Sequence, residues 1–252
     1  MRYSDASQSE NWEKLGDLDP KYAIASRADK KFNSWTDEDF FKVGHEIISN
    51  RISAIKSMNK EIQWRNALDF GCGIGRLTTA LASHFESVVG IDVSQSMIEK
   101  ARIQTTKLNN INLYVEKSPY FDHGKFDFII AHHVIQHIGS QTEMKDYIRT
   151  LCRHVTGVLV FNVPIFIPFK NKIQLKRRLF QLFSVIGFDP DKLYSYGFTP
   201  IRMNYLSRLD VRRIIQDEGL QVFLEEDVKY DNGQLSVIFY VEKPVKNKDV
   251  SL

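Results

Sequence analysis

The sequence predicts a doubly wound α/β fold: a seven-stranded, mostly parallel sheet with an antiparallel last strand, in a three-layer α/β/α sandwich. Three observations carry this. The stretch Ala67-Leu68-Asp69-Phe70-Gly71-Cys72-Gly73-Ile74-Gly75-Arg76 reads as a buried strand, a tight glycine turn and a helix start. Strand and helix patterns alternate from 66 to 163, which requires parallel strands joined by right-handed crossovers. Near the end, Asp231-Asn232-Gly233 separates two strand patterns, and so short a turn permits only an antiparallel hairpin.

Residues 1–63 read as an N-terminal helical cap. Phe40, Phe41, Val43, Ile47, Ile48, Ile52 and Ile55 recur at helical spacing, and Asp37-Glu38-Asp39 load the first turn with negative charge, as the helix dipole favours. The main domain spans 64–252. Its strands are expected near 66–70, 87–92, 111–115, 126–131 and 156–163, with helices near 75–85, 95–108 and 141–153. A helix over 209–218 leads into strands at 221–228 and 235–242.

An insertion at about 164–207 is longer than the fold requires. Residues 164–213 contain ten Lys/Arg and three Asp, a net +7 in a chain whose total is +3. Within it, Asn171 to Ile186 is expected to form one amphipathic helix over the carboxyl ends of the strands. Three readings stay open: a solvated face on a packing helix, a basic lid favouring an anionic substrate, or a helix lying on a membrane surface.

At 252 residues, with 43% hydrophobic and 26% charged side chains, the chain has the composition of one globular core with an insertion. Its two cysteines provide no disulfide framework, and its start carries no signal-peptide pattern, so a reducing, cytoplasmic setting is expected. The longest apolar stretch, Val155 to Phe169, is broken by Asn162, Pro164 and Pro168 and is too short to span a bilayer. The modest charge speaks against a nucleic-acid partner. Oligomeric state is not legible.

A glycine turn at a helix N-terminus is a nucleotide-sized platform, and Asp92, ending the next strand, is placed to accept hydrogen bonds from a ribose diol. The dinucleotide fingerprint G-x-G-x-x-G fails, because position 76 is Arg and the third glycine is Gly75. The order Asp69-x-Gly71-x-Gly73-x-Gly75 instead resembles motif I of the class I S-adenosylmethionine (SAM)-dependent methyltransferases, of the bacterial small-molecule or glycan type. Val89 to Ala101 is similar to that family's second strand and helix, and Phe126 to Ala131 to its fourth strand. The reversed last strand agrees with that family's sheet. The resemblance implies SAM as cofactor. Gly71, Gly73 and Gly75 would let the backbone approach its methionine part, with Asp69 orienting the ammonium group, and Cys72 and Arg76 of the same loop are cofactor candidates. Asp92 would hold the ribose, Val93 and Met97 would flank the adenine, and Glu116, Ser118 and His132 are further cofactor candidates.

Substrate-facing residues in that family follow the fourth strand, where this chain has His132, His133 and His137. Imidazole titrates near neutrality and suits proton abstraction from a hydroxyl, so all three are candidate bases, His133 and His137 foremost. No metal site is expected, since adjacent side chains on a strand point to opposite faces and no carboxylate pair completes a ligand set. The segment also lacks the Asn/Asp-Pro-Pro-aromatic tetrad of nucleic-acid amine methyltransferases. Tyr22, Tyr194, Tyr196, Arg202 and Tyr205 are candidate substrate contacts. The expected activity is methyl transfer to a small molecule or glycan, with a hydroxyl oxygen the preferred acceptor. A small amine or heterocycle, or a non-catalytic SAM-binding role, are the alternatives.

Overall fold

A computed structural model describes residues 8–25, 34–118 and 122–244. Parts of the expected cap (1–7 and 26–33), Pro119 and Tyr120 of the loop after the third strand, and the side chain of Lys170 lie outside the described residues. Among the described residues three helices precede the sheet: α1 (Gln8–Leu18), α2 (Pro20–Ile24) and α3 (Asp37–Ser57). Then follow β1 (Asn66–Phe70), α4 (Arg76–Ala82), β2 (Ser87–Asp92), α5 (Gln95–Gln104), β3 (Ile111–Val115), β4 (Phe126–Ala131), α6 (Gln141–His154) and β5 (Val155–Phe166). The insertion forms α7 (Phe169–Lys172), α8 (Leu175–Val185) and α9 (Pro190–Ser195), and α10 (Arg208–Asp217), β6 (Gln221–Lys229) and β7 (Leu235–Glu242) complete the chain.

The seven strands lie in the order β3-β2-β1-β4-β5-β7-β6. All neighbours are parallel except β7, which runs antiparallel to both β5 and β6. The central strands are apolar on both faces, as helices on each side demand. Leu68, Ile129, Leu159 and Phe239 pack on one face with Ile148 and Leu151 of α6 and Val211 and Ile214 of α10. Ala67, Phe128, Ile130 and Tyr240 pack on the other with Ile48, Ile52 and Ile55 of α3 and Leu77 and Leu81 of α4. So α3 belongs to the sandwich itself, while α1 and α2 stand at its ligand-binding end.

Helix starts follow local chemistry. Thr36, Ser94, Ser140 and Ser207 each accept a hydrogen bond from the backbone N–H three residues on, satisfying an otherwise orphaned donor. Helix α4 starts at Arg76 because Gly75 has φ +86, which no α-helix accommodates. The helix expected over 171–186 is instead two. Gln174 adopts φ 50, ending α7, and its side-chain amide donates to the Met203 carbonyl at 2.9 Å. The last hairpin closes through a three-residue loop, with Tyr230 N–H donating to the Gln234 carbonyl and Gly233, at φ +82, donating to the Tyr230 carbonyl.

Candidate active site

β1 sits where the strand order reverses, with β2 on one side and β4 on the other; such sheets open a crevice there at their carboxyl ends. A cavity of about 990 Å³ occupies that crevice. Its floor is Phe70, Gly71 and Gly73, its flanks include Asp92, Glu116 and His132, and Trp12, Ile24 and Trp35 close it from the N-terminal segment.

The glycine loop is shaped by contacts with β2. Gly71 and Cys72 N–H both donate to the Ile91 carbonyl, at 2.8 and 3.0 Å. Asp92 accepts from Gly73 N–H at 2.8 Å through one oxygen and from Ser94 N–H at 3.0 Å through the other. The carboxylate thus ties the loop to β2 while facing the cavity, and burial raises its pKa. A Cβ on Gly71 would stand 2.3 Å from Val134 Cγ2, and one on Gly73 would stand 2.5 Å from Ile24 Cδ1. The Gly73 position therefore excludes side chains first because of the α2 roof.

Gly71, Gly73, Arg76, Asp92, Val93, Met97, Glu116 and His132 all line the cavity, but Asp69, Cys72, Gly75 and Ser118 do not. Asp69 is wholly buried and accepts from Thr78 Oγ1 at 2.7 Å. Burial raises its pKa to about 6, against the opposing effects of the Thr78 hydroxyl and the Arg76 charge. It pins the end of β1 to α4 and does not line the cavity. Cys72 packs with Ile98, Ala101 and Leu113. Ser118 N–H donates to Glu116 Oε1 at 2.9 Å, so it shapes the loop that carries Glu116.

The histidines depart from strand alternation. β4 ends at Ala131, so His132 and His133 lie beyond it, their rings 4.3 Å apart and both at the cavity. His133 has φ +59, a left-handed conformation unusual for a side-chain-bearing residue. Asn162 of β5 holds it there. Its Oδ1 accepts from the His133 backbone N–H at 2.6 Å, and its Nδ2 lies 3.0 Å from His133 Nδ1. A backbone N–H can only donate, which fixes the amide orientation and makes Nδ1 the acceptor. Neutral His133 therefore carries its proton on Nε2.

The same logic fixes His137. Its Nδ1 lies 3.3 Å from the Arg202 carbonyl, which can only accept, so Nδ1 bears the proton and Nε2 accepts from Gln136 Nε2 at 3.0 Å. Desolvation first, and then neighbouring positive charge at His133, push both imidazoles down to about 4. Burial, His133 and two arginines likewise push His132 well below its ordinary value. All three are neutral at pH 7. Among the described residues the His132 ring makes no hydrogen bond, so its lone pair stays available. This reverses the expected order: His133 and His137 have their basic nitrogens engaged, and His132 does not.

Tyr22, Tyr194, Tyr196, Arg202 and Tyr205 do not line the cavity. Tyr22 and Tyr194 meet edge to face at 6.5 Å, Arg202 donates to the Gly139 carbonyl at 2.9 Å, and the Lys172 ammonium lies over the Tyr205 ring. Tyr196 is 77% exposed. Among the described residues of the insertion, only Met203 lines the cavity, and none of α8 does. Trp12 and Trp35, which the sequence offers as N-terminal aromatics closing the pocket, do line it, Trp12 edge-on to His137 at 5.2 Å; a residue that sequence reasoning missed is Gln136, whose buried Oε1 has no hydrogen-bond partner among the described residues. Tyr230, Asn232 and Gln234 of the last hairpin also line it. A polar residue beside a histidine cluster could have flagged Gln136; the hairpin requires the strand order.

Fold and site together define a Rossmann-like α/β domain with a nucleotide-sized cavity over a glycine loop. Residues 68–160 match the family described as a methyltransferase domain, and the seven-stranded sheet has the fold of class I methyltransferases. The chain is 29% identical over 126 residues to the ubiquinone biosynthesis O-methyltransferase of Bordetella avium, covering 48% of this chain and 50% of that one. It is 26% identical over 157 residues to the protein of the same name from Histophilus somni, covering 59% and 65%. The chain thus spans about half to two thirds of these relatives. Among solved structures, the N-methyltransferase NodS from Bradyrhizobium japonicum WM9, in complex with S-adenosylhomocysteine, superposes with a TM-score of 0.61 at 16% identity, covering 95% of this chain and all of that one.

Proposed function

We propose that this protein is a SAM-dependent methyltransferase acting on a hydroxyl oxygen of a small-molecule or glycan acceptor. The observation that carries the reading is the cavity itself, with the loop-bound Asp92 carboxylate on one flank and an imidazole without a hydrogen-bond partner on the other. The residues fit the cofactor. Gly71 and Gly73, both at positive φ, present bare backbone to the cavity, Asp92 retains acceptor capacity for a diol, and buried Arg76 Nε and Gln136 Oε1 lack partners among the described residues. SAM, when bound, supplies an activated methyl group and its own leaving group.

The chain must align the acceptor and take its proton. His132, neutral and facing the cavity, is the base; its depressed pKa keeps the lone pair available near pH 7. The neighbouring polar groups of His133 and Gln136, both lining the cavity, orient a polar acceptor. Trp12 and Trp35 exclude water from above.

Calorimetry and melting curves test the cofactor. S-adenosylhomocysteine should raise the melting temperature and NADP should not. Asp92→Ala should weaken S-adenosylhomocysteine binding by about 1–3 kcal/mol, the scale for buried polar partners left unpaired. Stabilisation by NADP alone would overturn the reading. With sugar phosphates and aromatic alcohols as acceptors, His132→Ala should cut turnover about 10²–10⁴-fold at unchanged S-adenosylhomocysteine affinity. Activity on amines only, with His132→Ala altering KM alone, would move the acceptor to nitrogen.

A further inference from the structure

Thirteen large hydrophobic side chains are exposed among the described residues, and nine of them fall within 166–196. On α8, Leu175, Arg178, Leu182 and Val185 follow one another by three or four residues and share a face, which Ile186 extends. That face points outward: Leu175 is 58%, Leu182 55% and Val185 47% exposed, while Phe180 on the opposite side is buried. Phe169 before the helix and Phe188 after it are also exposed. A helix that only covers a globular core turns its apolar stripe inward; α8 turns one out.

Along α7 and α8 the charges have a single sign, the next acidic residues being Asp189 and Asp191 at the start of α9. From Asn171 to Phe188 the sequence has Lys172, Lys176, Arg177 and Arg178 and no Asp or Glu. Lys172, Lys176 and Arg178 are exposed. A second copy seated on this face would bring the like charges of Lys172, Lys176 and Arg178 of both copies together with no carboxylate of 171–188 between them, an unfavourable arrangement. A cationic helix with an outward apolar stripe fits the headgroup boundary of an anionic bilayer, where the apolar side chains enter the acyl edge and the cations meet lipid phosphates. No helix among the described residues is long and apolar enough to cross a membrane, so the contact is one of lying on the surface.

We propose that α7 and α8 form a docking surface for anionic lipid membranes. The inference stands on the insertion alone and is independent of methyl transfer. Its test is flotation of the full chain with vesicles of phosphatidylcholine alone, or with one quarter phosphatidylglycerol. Binding should appear with the mixed vesicles, be at least about tenfold weaker on pure phosphatidylcholine, and fall steeply in high salt. The double variant Leu182→Glu/Val185→Glu should lose about tenfold or more of that binding, with unchanged circular dichroism and melting temperature. Two outcomes overturn the proposal: mixed vesicles that fail to float the wild type, or equal flotation of wild type and variant. A wild-type dimer that the variant converts to monomer, with no lipid binding in either, would assign the face to a second copy instead.

Discussion

His133 holds a backbone conformation that costs of order 1–3 kcal/mol for a residue with a side chain, so the surrounding structure must enforce it. Asn162 does so with both ends of its amide, and in so doing chooses the tautomer. Asn162→Asp would keep the acceptor for the His133 N–H and lose the donor to Nδ1. The proton would then have to sit on Nδ1 beside a carboxylate, and the imidazole pKa should rise well above its present value of about 4. Nitrogen-15 NMR of the ring reads this directly; a titration still near 4 would mean that Asn162 does not set the tautomer. Asn162→Ala, which leaves a buried N–H unpaired, should destabilise the fold by about 1–3 kcal/mol. None of this was legible in the sequence. The three imidazoles were visible as a cluster, but their division into two engaged rings and one available ring depends on Asn162 and Arg202, which lie 29 and 65 residues away from their partners.

At the level of elements, the glycine loop and the α2 roof form one assembly. Lys21 donates to the Trp35 carbonyl at 3.1 Å and Trp35 Nε1 to the Ala25 carbonyl at 3.2 Å, which fasten α2 to the segment entering α3. Ile24 then presses on Gly73. Gly73→Val should displace that roof and lower S-adenosylhomocysteine affinity about tenfold or more, since the new side chain also strains a residue at φ +55. Adding Ile24→Ala should recover part of the loss, as measured by calorimetry; no recovery would mean that the valine obstructs the cofactor space alone. The loop and the strands around it were readable because central parallel strands are apolar on both faces and their ends carry Gly71 and Asp92. The aromatics of the roof, Trp12 and Trp35, were readable as closing residues, but α2 itself was not: it is five residues long with no buried face, so periodicity has nothing to register. The split of 171–186 escaped for a related reason, because Gln174 is left-handed only where its side chain meets the Met203 carbonyl.

Across the whole molecule, the cavity couples stability to pH. His133 and His137 titrate near 4 in the folded protein and at their ordinary 6.5 when exposed. Between those values the unfolded chain binds more protons, so stability is fully present above about 6.5 and falls as pH drops towards 4. The loss should be about 2 kcal/mol for each imidazole, allowing for the cavity's partial hydration. Asp69 works in the opposite sense. Its folded pKa of about 6 lies above the ordinary 3.8, so its burial penalises the fold above pH 6 and that penalty is relieved as pH falls through the same window. The two effects offset each other in the wild type, and single variants separate them. Replacing His137 by Gln, which can still donate to the Arg202 carbonyl, should flatten the fall in melting temperature between pH 6.5 and 4. Asp69→Asn, which keeps an acceptor for Thr78, should raise stability above pH 6 and steepen the fall below it. Parallel pH profiles for wild type and both variants would show that these groups meet water as freely in the fold as in the unfolded chain, and the cavity would then lack the desolvated wall on which the neutral His132 depends.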